Sequence, residues 1–232
     1  MKIQLLSETT DAEPFLADDD WCAQEKIDGV RCLLIFDASS VHAVSRQSKP
    51  LKLTSDLQRA ASGFSGEFVI DGELVGDAFT AFDAQRLAGL DVTALPMIER
   101  FAMLAGLPFE RVRCAIGEDA KRALLASVRA ENGEAVAFKF LHEPYVDGRT
   151  PAAVKFKFWQ REVFAVADVN IGKGTVGLLD HGRECGKCSF PLNAQWPRVG
   201  DSVEVRFAKW TRNGKLSQPV WRGLHRDLVA VS

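Results

Sequence analysis

The first half of the chain alternates short apolar runs, rich in β-forming residues, with turn-like polar clusters. Residues 30–36 and 41–45 are two such runs, and the polar cluster between them predicts an antiparallel hairpin. Residues 68–74 form another run, which is broken by an Asp-Gly pair at 71–72 and leads into a glycine turn at 75–77. This pattern predicts a strand, a turn and a second strand, in which the carboxylates face a cleft rather than a core.

Helical periodicity lies between these β segments, at residues 54–61, 95–104 and 118–130. Strands mixed with a few helices, without regular βαβ alternation, predict an α+β fold. The predicted apolar faces consist of Met97, Phe101 and Leu104 in the second helix, and of Ala120, Leu124, Leu125 and Val128 in the third.

The pattern changes from residue 162 onward to short alternating strands, separated by turns that contain glycine. About five strands in roughly 70 residues predict a small closed barrel such as an OB-fold. We therefore expect two domains, residues 1–159 and 160–232.

Charge is distributed unevenly along the chain. The net charge of the whole chain is −2, but residues 1–138 carry 14 Lys+Arg and 22 Asp+Glu, a net charge of −8. Residues 139–232 carry 15 and 9 of the same residues, a net charge of +6. The asymmetry favours a polyanionic partner contacted mainly by the C-terminal part, and the 47% hydrophobic content excludes a disordered chain.

Targeting and redox features are few. The first residues have no apolar core of a leader peptide, and no apolar run reaches membrane-spanning length, so we expect a cytosolic protein. The five cysteines are an odd, scattered set, which favours reduced thiols over a disulfide framework. Cys185 and Cys188 with His181 offer only three nearby ligands, so a barrel turn is favoured over a zinc site.

The candidate chemistry begins at Lys26, which directly precedes an Asp-Gly pair and is followed by Arg31. A lysine held at a strand–turn junction among other cations can act as a nucleophile. The same short pattern is common at ordinary surface turns, so its meaning depends on the motifs that accompany it.

Residues 26–31 are the first of several ordered motifs, and through them the chain resembles the covalent nucleotidyltransferase superfamily of ATP-dependent DNA ligases, RNA ligases and capping enzymes. Two positions depart from the family pattern, because Ser48 and Ala135 stand where glycine is usual. The other motifs are residues 45–49, 71–74, 81–83, 134–139 and 154–157.

The resemblance implies a nucleotidyltransferase (adenylation) domain followed by an all-β OB-fold domain. It implies that Lys26 attacks the α-phosphate of ATP and becomes a lysyl-adenylate, while Mg²⁺ is held by Glu134, with help from Glu73. Taken singly, Phe82 would more often be a core residue, and the two glutamates and Lys155 and Lys157 would more often lie on a solvated surface. Only the ordered set points to a site. The nucleotide-binding residues that the resemblance implies are Glu25, Arg31, Arg46, Glu73, Phe82, Glu134, Lys155 and Lys157.

The C-terminal segment combines many cations with Trp210 and Trp221. Basic aromatic strands commonly bind a nucleic-acid backbone, although the tryptophans would also fit a barrel core. The segment resembles the end of compact phage and bacterial DNA ligases, with His225 and Leu228 in place of the usual arginine and lysine. The DNA-binding candidates are Arg149, Lys209, Arg212, Lys215, Arg222 and Arg226.

The combined prediction is a monomeric ATP-dependent DNA ligase that seals nicks in duplex DNA with ATP and Mg²⁺. The β-patterned C-terminal domain favours this assignment over an RNA ligase or a capping-type nucleotidyltransferase, which is the alternative. A nick-binding module without catalysis is a third class. The intact lysine and both glutamates argue against it. Since the chain is small, we also predict weak and strongly salt-dependent DNA binding.

Overall fold

A computed structural model shows two compact units that divide between Lys157 and Phe158. It describes residues 3–37, 40–63, 66–191, 195–211 and 213–225. Mixed sheets with four short α-helices make the described chain an α+β protein, as the sequence pattern predicts.

The first unit contains two sheets and all four α-helices of the described residues. In chain order, its elements are β1 (Gln4–Thr9), α1 (Glu13–Ala17), β2 (Trp21–Lys26), β3 (Val30–Asp37), β4 (Ser40–Ser45), β5 (Pro50–Leu51), α2 (Ser55–Ser62), β6 (Phe68–Val75), β7 (Ala78–Leu87), β8 (Leu90–Asp91), α3 (Met97–Met103), β9 (Glu110–Arg111), β10 (Cys114–Ile116), α4 (Glu118–Ala130), β11 (Ala135–Phe140) and β12 (Gly148–Lys157).

The first sheet has the strand order β1-β12-β11-β2-β10, in which only the β1–β12 pair is parallel. Helix α4 packs against β2, β10 and β11 and buries Leu124 and Val128 there. On the strand side, Val136 and Phe138 of β11 are fully buried. Because side chains alternate along a strand, the neighbouring positions of β11 project from the opposite face.

The second sheet has the strand order β5-β4-β3-β6-β7-β8, and β9 adds to β7 in parallel. The predicted hairpin is confirmed, since β3 and β4 pair antiparallel from Cys32–Ser45 to Asp37–Ser40. The main core of the unit lies against this sheet and includes Leu34, Ile70 and Phe101.

The Asp-Gly pair at 71–72 does not interrupt its strand. Strand β6 runs continuously through both residues, and the chain turns only beyond Val75. A Cβ atom on Gly72 would lie 2.5 Å from the Phe79 ring and from the Thr80 carbonyl oxygen. Glycine is therefore required here by the close approach of β7 rather than by a turn.

The predicted apolar faces of the helices are correct except at one position. Met97, Phe101 and Leu104 are buried as expected, although α3 begins only after Pro96 and residues 104–106 continue it as a 3₁₀ turn. In α4, Ala120 is exposed and Lys121 is buried in its place. The Lys121 ammonium donates to the Phe15 and Asp18 carbonyl oxygens at 3.0 and 2.6 Å, so a cation satisfies the end of α1.

The second unit is built around a closed barrel with the strand order β13-β14-β15-β19-β16. Alternating residues of β16 (Val203, Val205 and Phe207) are fully buried and fill its interior. The strands of this unit are β13 (Gln160–Asn170), β14 (Thr175–Asp180), β15 (Arg183–Ser189), β16 (Ser202–Phe207), β17 (Lys209–Trp210), β18 (Leu216–Ser217) and β19 (Val220–Leu224).

Among the described residues, no helix is both long enough and apolar enough to cross a membrane.

Candidate active site

The strand register of the first sheet brings its basic side chains onto one face. Lys26 at the end of β2 pairs with Ala135, which in turn pairs with Lys157. Two residues further along β11, Ala137 pairs with Lys155. Directly paired residues project from the same face, so three lysines surround two alanines whose small side chains leave the centre open. This is the face opposite α4.

A cavity of about 330 Å³ opens on this face, within the first unit. Its wall is completed by side chains from the second sheet. Of the residues predicted from the sequence, it is lined by Glu25, Lys26, Arg31, Arg46, Glu73, Phe82, Arg149 and Lys155.

Glu134 connects two of the lysines. The Lys26 ammonium donates to one Glu134 oxygen at 2.5 Å, and the Lys157 nitrogen lies 3.5 Å from the other. The Glu134 side chain is only 5% exposed, whereas that of Lys26 is 26% exposed. The carboxylate is thus held beneath the lysine, and the amine end remains reachable from the cavity. Burial and the charge of nearby Lys157 lower the pKa of Lys155, as expected where cations cluster.

Glu73 faces the same cavity from β6. Burial raises its pKa, an effect opposed by the positive charges of Lys26 and Arg31 and by a hydrogen bond from the Gly29 backbone. A Cβ atom on Gly29 would lie 2.3 Å from the Leu74 carbonyl oxygen. The glycine after Asp28 therefore allows the chain that follows Lys26 to pass directly over β6.

Arg31 belongs to a largely buried hydrogen-bond network below the cavity. Its guanidinium donates two hydrogen bonds to the Asp71 carboxylate, at 2.9 and 2.5 Å, and a third to the Gln4 carbonyl oxygen. The Tyr145 hydroxyl donates to the same carboxylate at 2.6 Å, and burial raises the pKa of Tyr145. These contacts hold the arginine in one orientation at the cavity wall.

Phe82 forms an aromatic wall of the cavity between two cations. The Arg31 guanidinium lies 5.3 Å and the Lys139 nitrogen 5.0 Å from the centre of its ring. Gln24 approaches from below and donates to the Phe82 carbonyl oxygen at 3.5 Å. Lys139 also lies 3.7 Å from Asp83. A flat base could stack on this ring while the phosphates extend toward the lysines.

Arg46 reaches the cavity from the end of β4, in the turn where the family motif usually has glycine. Ser48 in this turn adopts a positive φ of 58°. The turn is closed by hydrogen bonds from the Ser48 and Lys49 backbone nitrogens to Ser45. The serine thus takes the left-handed conformation that glycine would adopt with less strain.

Glu25 lines the cavity but is engaged elsewhere. Its carboxylate accepts a hydrogen bond from Arg113 at 2.7 Å, and Arg113 also pairs with Glu131 after α4. As the neighbour of Lys26 on a strand, Glu25 projects toward the helix side of the sheet.

The candidate DNA-binding residues of the second unit have different surroundings. Arg222 is exposed on β19, and Lys209 is half-buried on β17. The Lys215 ammonium donates to the Glu184 carbonyl oxygen at 2.6 Å and so is partly committed to the barrel. Arg212 and Arg226 lie outside the described residues, as does Leu228.

Both tryptophans of the C-terminal segment are partly buried and pack against the barrel core. Trp210 contacts the Phe164 and Phe207 rings, with centroids 5.9 and 5.5 Å apart, and Trp221 contacts Phe190 at 4.6 Å. These ring contacts account for the structural role that the sequence analysis left open to them.

The Cys185–Cys188 segment lies within strand β15, so it is not the barrel turn expected from the sequence. Both thiols are buried free cysteines, whereas His181 is almost fully exposed. Within the described part of the chain, no three His, Cys, Asp or Glu residues form a group that could hold a metal ion by themselves.

Comparison with solved structures finds chains of the same architecture. The mycobacterial DNA ligase D complexed with ATP and MES is 20% identical, with a TM-score of 0.62, and the match covers 98% of this chain and 95% of that one. A Lig E DNA ligase, described as binding DNA with a minimal scaffold, is 19% identical, with a TM-score of 0.73 and coverage of 97% and 99%.

The chain has the fold of these DNA ligases. The Chlorella virus DNA ligase-adenylate also matches, at 16% identity and a TM-score of 0.51, with coverage of 98% and 99%. No protein-family model matches the sequence, and no curated protein does. The likeness extends over both units of the chain.

Several residues in or next to this cavity have no assigned role in the sequence analysis. They are Gln4, Gln24, Asp71, Lys139 and Tyr145, which contact Arg31 or Phe82. Alternation offered a signal for two of them, because Gln24 lies two residues before Lys26, and Lys139 shares a strand face with Ala135 and Ala137. Tyr145 begins residues 145–149, a segment that resembles the linking segment of the nucleotidyltransferase superfamily, whereas no local pattern pointed to Gln4.

Proposed function

We propose that the protein is an ATP-dependent DNA ligase that seals nicks in duplex DNA through a covalent lysyl-AMP intermediate. The observation that carries the proposal is the position of Lys26. Its amine lies in a cavity with an aromatic wall, bound to a buried carboxylate and accompanied by Lys155 and Lys157. The proposal includes two domains, a nucleotidyltransferase domain over residues 1–159 and an OB-fold barrel over residues 160–232.

The arrangement suits binding of a nucleoside triphosphate. The base would stack on Phe82, and the phosphates would lie along the row of lysines, because cations compensate the charge of phosphate oxygens. Arg46 and Arg149 line the cavity as further cations. Arg31, whose guanidinium is fixed by Asp71, would contact the ribose or a phosphate without further ordering.

The first chemical step would be attack of Lys26 on the α-phosphate. The lysine nitrogen loses its proton and forms a P–N bond, while the bond to the bridging oxygen breaks and pyrophosphate leaves. Before this can occur, the ion pair between Lys26 and Glu134 has to open. Phosphates that enter next to Lys157 would compete with the Glu134 carboxylate for the ammonium groups of Lys26 and Lys157.

Two further transfers would complete sealing at the same site. The AMP group passes from Lys26 to the 5′-phosphate at a nick, and the lysine amine is regenerated. The 3′-hydroxyl then attacks that phosphate, its proton is released, and AMP leaves as the new phosphodiester bond forms. We propose nicked duplex DNA as the partner and a monomer as the active form.

Mg²⁺ would be held by Glu134 together with Glu73, since carboxylate oxygens are ligands that this ion prefers. Magnesium is commonly bound by one or two carboxylates together with substrate phosphates and water. When bound, the ion would neutralise negative charge on the phosphate oxygens.

Covalent labelling tests the proposal. Incubation with ATP labelled at the α-phosphate should attach label to wild-type protein, and nicked duplex DNA should remove the label and be sealed. Lys26→Ala should take up no label, whereas Lys52→Ala, which changes an exposed lysine of the same unit, should behave as wild type.

Parallel reactions distinguish the alternative. Label taken up from GTP alone, or sealing of RNA alone, would assign the protein to the RNA ligase or capping class. An unlabelled wild-type protein, or equal labelling of Lys26→Ala, would remove the mechanism.

A further inference from the structure

Two cysteines are neighbours on the cleft face of the first sheet. Antiparallel pairing of β2 and β10 places Cys114 opposite Gln24 and Ile116 opposite Cys22. Because Cys22 lies two residues from Gln24, Cys22 and Cys114 project from the same face as diagonal neighbours. Both are free thiols.

The two thiols differ in their surroundings. Cys22 is fully buried, and its hydrogen bond to Cys114, together with burial, raises its pKa well above the ordinary value. Cys114 is half-buried, and the hydrogen bond from Cys22, with the nearby charge of Lys139, lowers its pKa despite partial burial. Oxidation-sensitive thiols are typically partly exposed, lie among cations and have a second thiol beside them.

The other three cysteines lack this combination. Burial raises the pKa of Cys32 to about 12, and it raises that of Cys185 and that of Cys188 to about 11. Buried thiols of this kind are ordinarily inert, because the thiolate is the reactive form. All five cysteines lie within the described residues, and Cys114 alone among them has a lowered pKa.

We propose that Cys114 is a peroxide-reactive thiol beside the nucleotide cavity, and that Cys22 converts its oxidised form into a disulfide. In the first step, the Cys114 thiolate attacks hydrogen peroxide, the O–O bond breaks, and a sulfenic acid forms as hydroxide leaves and takes up a proton. In the second step, the Cys22 thiol loses its proton and attacks the sulfenic sulfur, so that an S–S bond forms and water leaves. Two thiols are oxidised, and one peroxide is reduced to two waters.

The consequence for activity rests on the proposed function. Gln24, the strand partner of Cys114, and Lys139, the strand partner of Cys22, both line the cavity. A bond between the two sulfur atoms would shift the strands that carry these side chains around Phe82. Oxidised protein should therefore form the Lys26 adduct several-fold more slowly, and a thiol reductant should restore the rate.

Thiol counting tests the proposal without relying on activity. The reduced full-length protein is treated with hydrogen peroxide, unfolded in the presence of N-ethylmaleimide, and examined by intact mass and peptide mapping. Wild type should lose two hydrogen atoms, and three of its five cysteines should remain alkylatable. The mapped disulfide should join Cys22 to Cys114. Cys114 should react at least about tenfold faster than Cys32, since the thiolate fraction changes tenfold per pKa unit.

Variants separate the two roles. In Cys22→Ala, Cys114 should persist as a sulfenic acid that a 1,3-dione probe captures, whereas Cys114→Ser should keep all its thiols. Cys32→Ala removes another fully buried thiol and should oxidise as wild type. If Cys114 reacts no faster than Cys32, or if no Cys22–Cys114 disulfide forms, the proposal is overturned. A wild type that forms the disulfide but never binds AMP would overturn the ligase assignment and leave the thiol chemistry standing.

Discussion

Glu134 is a buried carboxylate that pairs with two of the lysines around the cavity. Its two oxygens contact Lys26 and Lys157. Its negative charge offsets the electrostatic repulsion between the three neighbouring lysines before a nucleotide binds. Under the proposed function, this carboxylate would also help to hold a metal ion beside the phosphates.

Replacing Glu134 by glutamine should reduce adduct formation on Lys26 by at least about 100-fold, because a charged group at the reacting phosphates is removed. The matched change Glu131→Gln alters an exposed carboxylate just after α4 and should leave the rate unchanged. Single-turnover labelling with ATP measures both, and circular dichroism checks folding. A Glu134→Gln rate within twofold of wild type would contradict this role.

A second residue-scale prediction concerns stability. Arg100 and Asp83 form a fully buried ion pair, with hydrogen bonds of 2.8 and 3.0 Å, and Arg100 also binds two backbone carbonyl oxygens. Removing one partner leaves a buried charge, so Arg100→Met should lower the free energy of unfolding by about 3–5 kcal/mol.

Urea denaturation followed by intrinsic fluorescence measures this loss. Arg122→Met serves as the control, because Arg122 forms its ion pairs at the surface of α4 and should leave the midpoint nearly unchanged. Equal midpoints for the two variants would show that the buried ion pair contributes no more to stability than the surface ion pairs of Arg122.

At the scale of elements, the cavity depends on strands that pass unusually close to one another. Gly29 lies against the backbone of β6, and Gly72 lies against the Phe79 ring of β7. Both glycines lie close in sequence to residues of the site. Gly29 comes two residues before Arg31, and Gly72 lies between Asp71 and Glu73. The spacing of the second sheet therefore determines where Arg31 and Glu73 stand.

Adding one methyl group at Gly72 should disturb this spacing. Gly72→Ala should lower stability by about 1–3 kcal/mol through overpacking, and it should slow adduct formation because Asp71 and Glu73 move. Gly106→Ala is the control, since no atom lies within 4 Å of a Cβ atom there. Thermal unfolding and the labelling rate give the two readouts, and unchanged values for Gly72→Ala would refute the close-packing argument.

At the scale of the whole molecule, the uneven distribution of charge along the chain leads to a prediction about DNA binding. The acidic excess lies in the part that contains the cavity, and the basic excess lies mainly in the barrel. Binding through phosphate contacts releases counterions from the DNA. Added salt opposes this release and therefore weakens binding.

The affinity for nicked duplex DNA should therefore fall steeply as salt rises. Arg222→Gln should make the slope of log K against log salt shallower by about 1, whereas Arg59→Gln, on α2 of the acidic unit, should leave it unchanged. Fluorescence anisotropy at several salt concentrations supplies the slopes. A wild-type slope near zero would contradict electrostatic binding.

Much of the fold follows from local pattern. The hairpin after Lys26, the faces of α3 and the barrel strands were all predictable, because period-2 and period-3.6 alternation encodes which side of an element is apolar. The ordered motifs likewise indicated which side chains to examine, because they are short local segments that resemble those of the nucleotidyltransferase superfamily.

Pairing between distant segments was not predictable in the same way. Lys121 is buried because the end of α1 needs donors, and Tyr145 binds Asp71, which lies 74 residues away. Trp210 and Trp221 pack against the barrel core because neighbouring strands offer them aromatic partners. None of these partners is visible from a window of neighbouring residues.

By itself, the sequence determined the elements, their apolar faces and the lysine around which the proposed chemistry is built. Only the tertiary structure decided that Glu134 lies under Lys26, that Lys139 flanks Phe82 and that Cys22 meets Cys114. The physical reason is strand register: alternation assigns each side chain to a face, but hydrogen bonding between strands far apart in the chain decides which side chains on that face become neighbours.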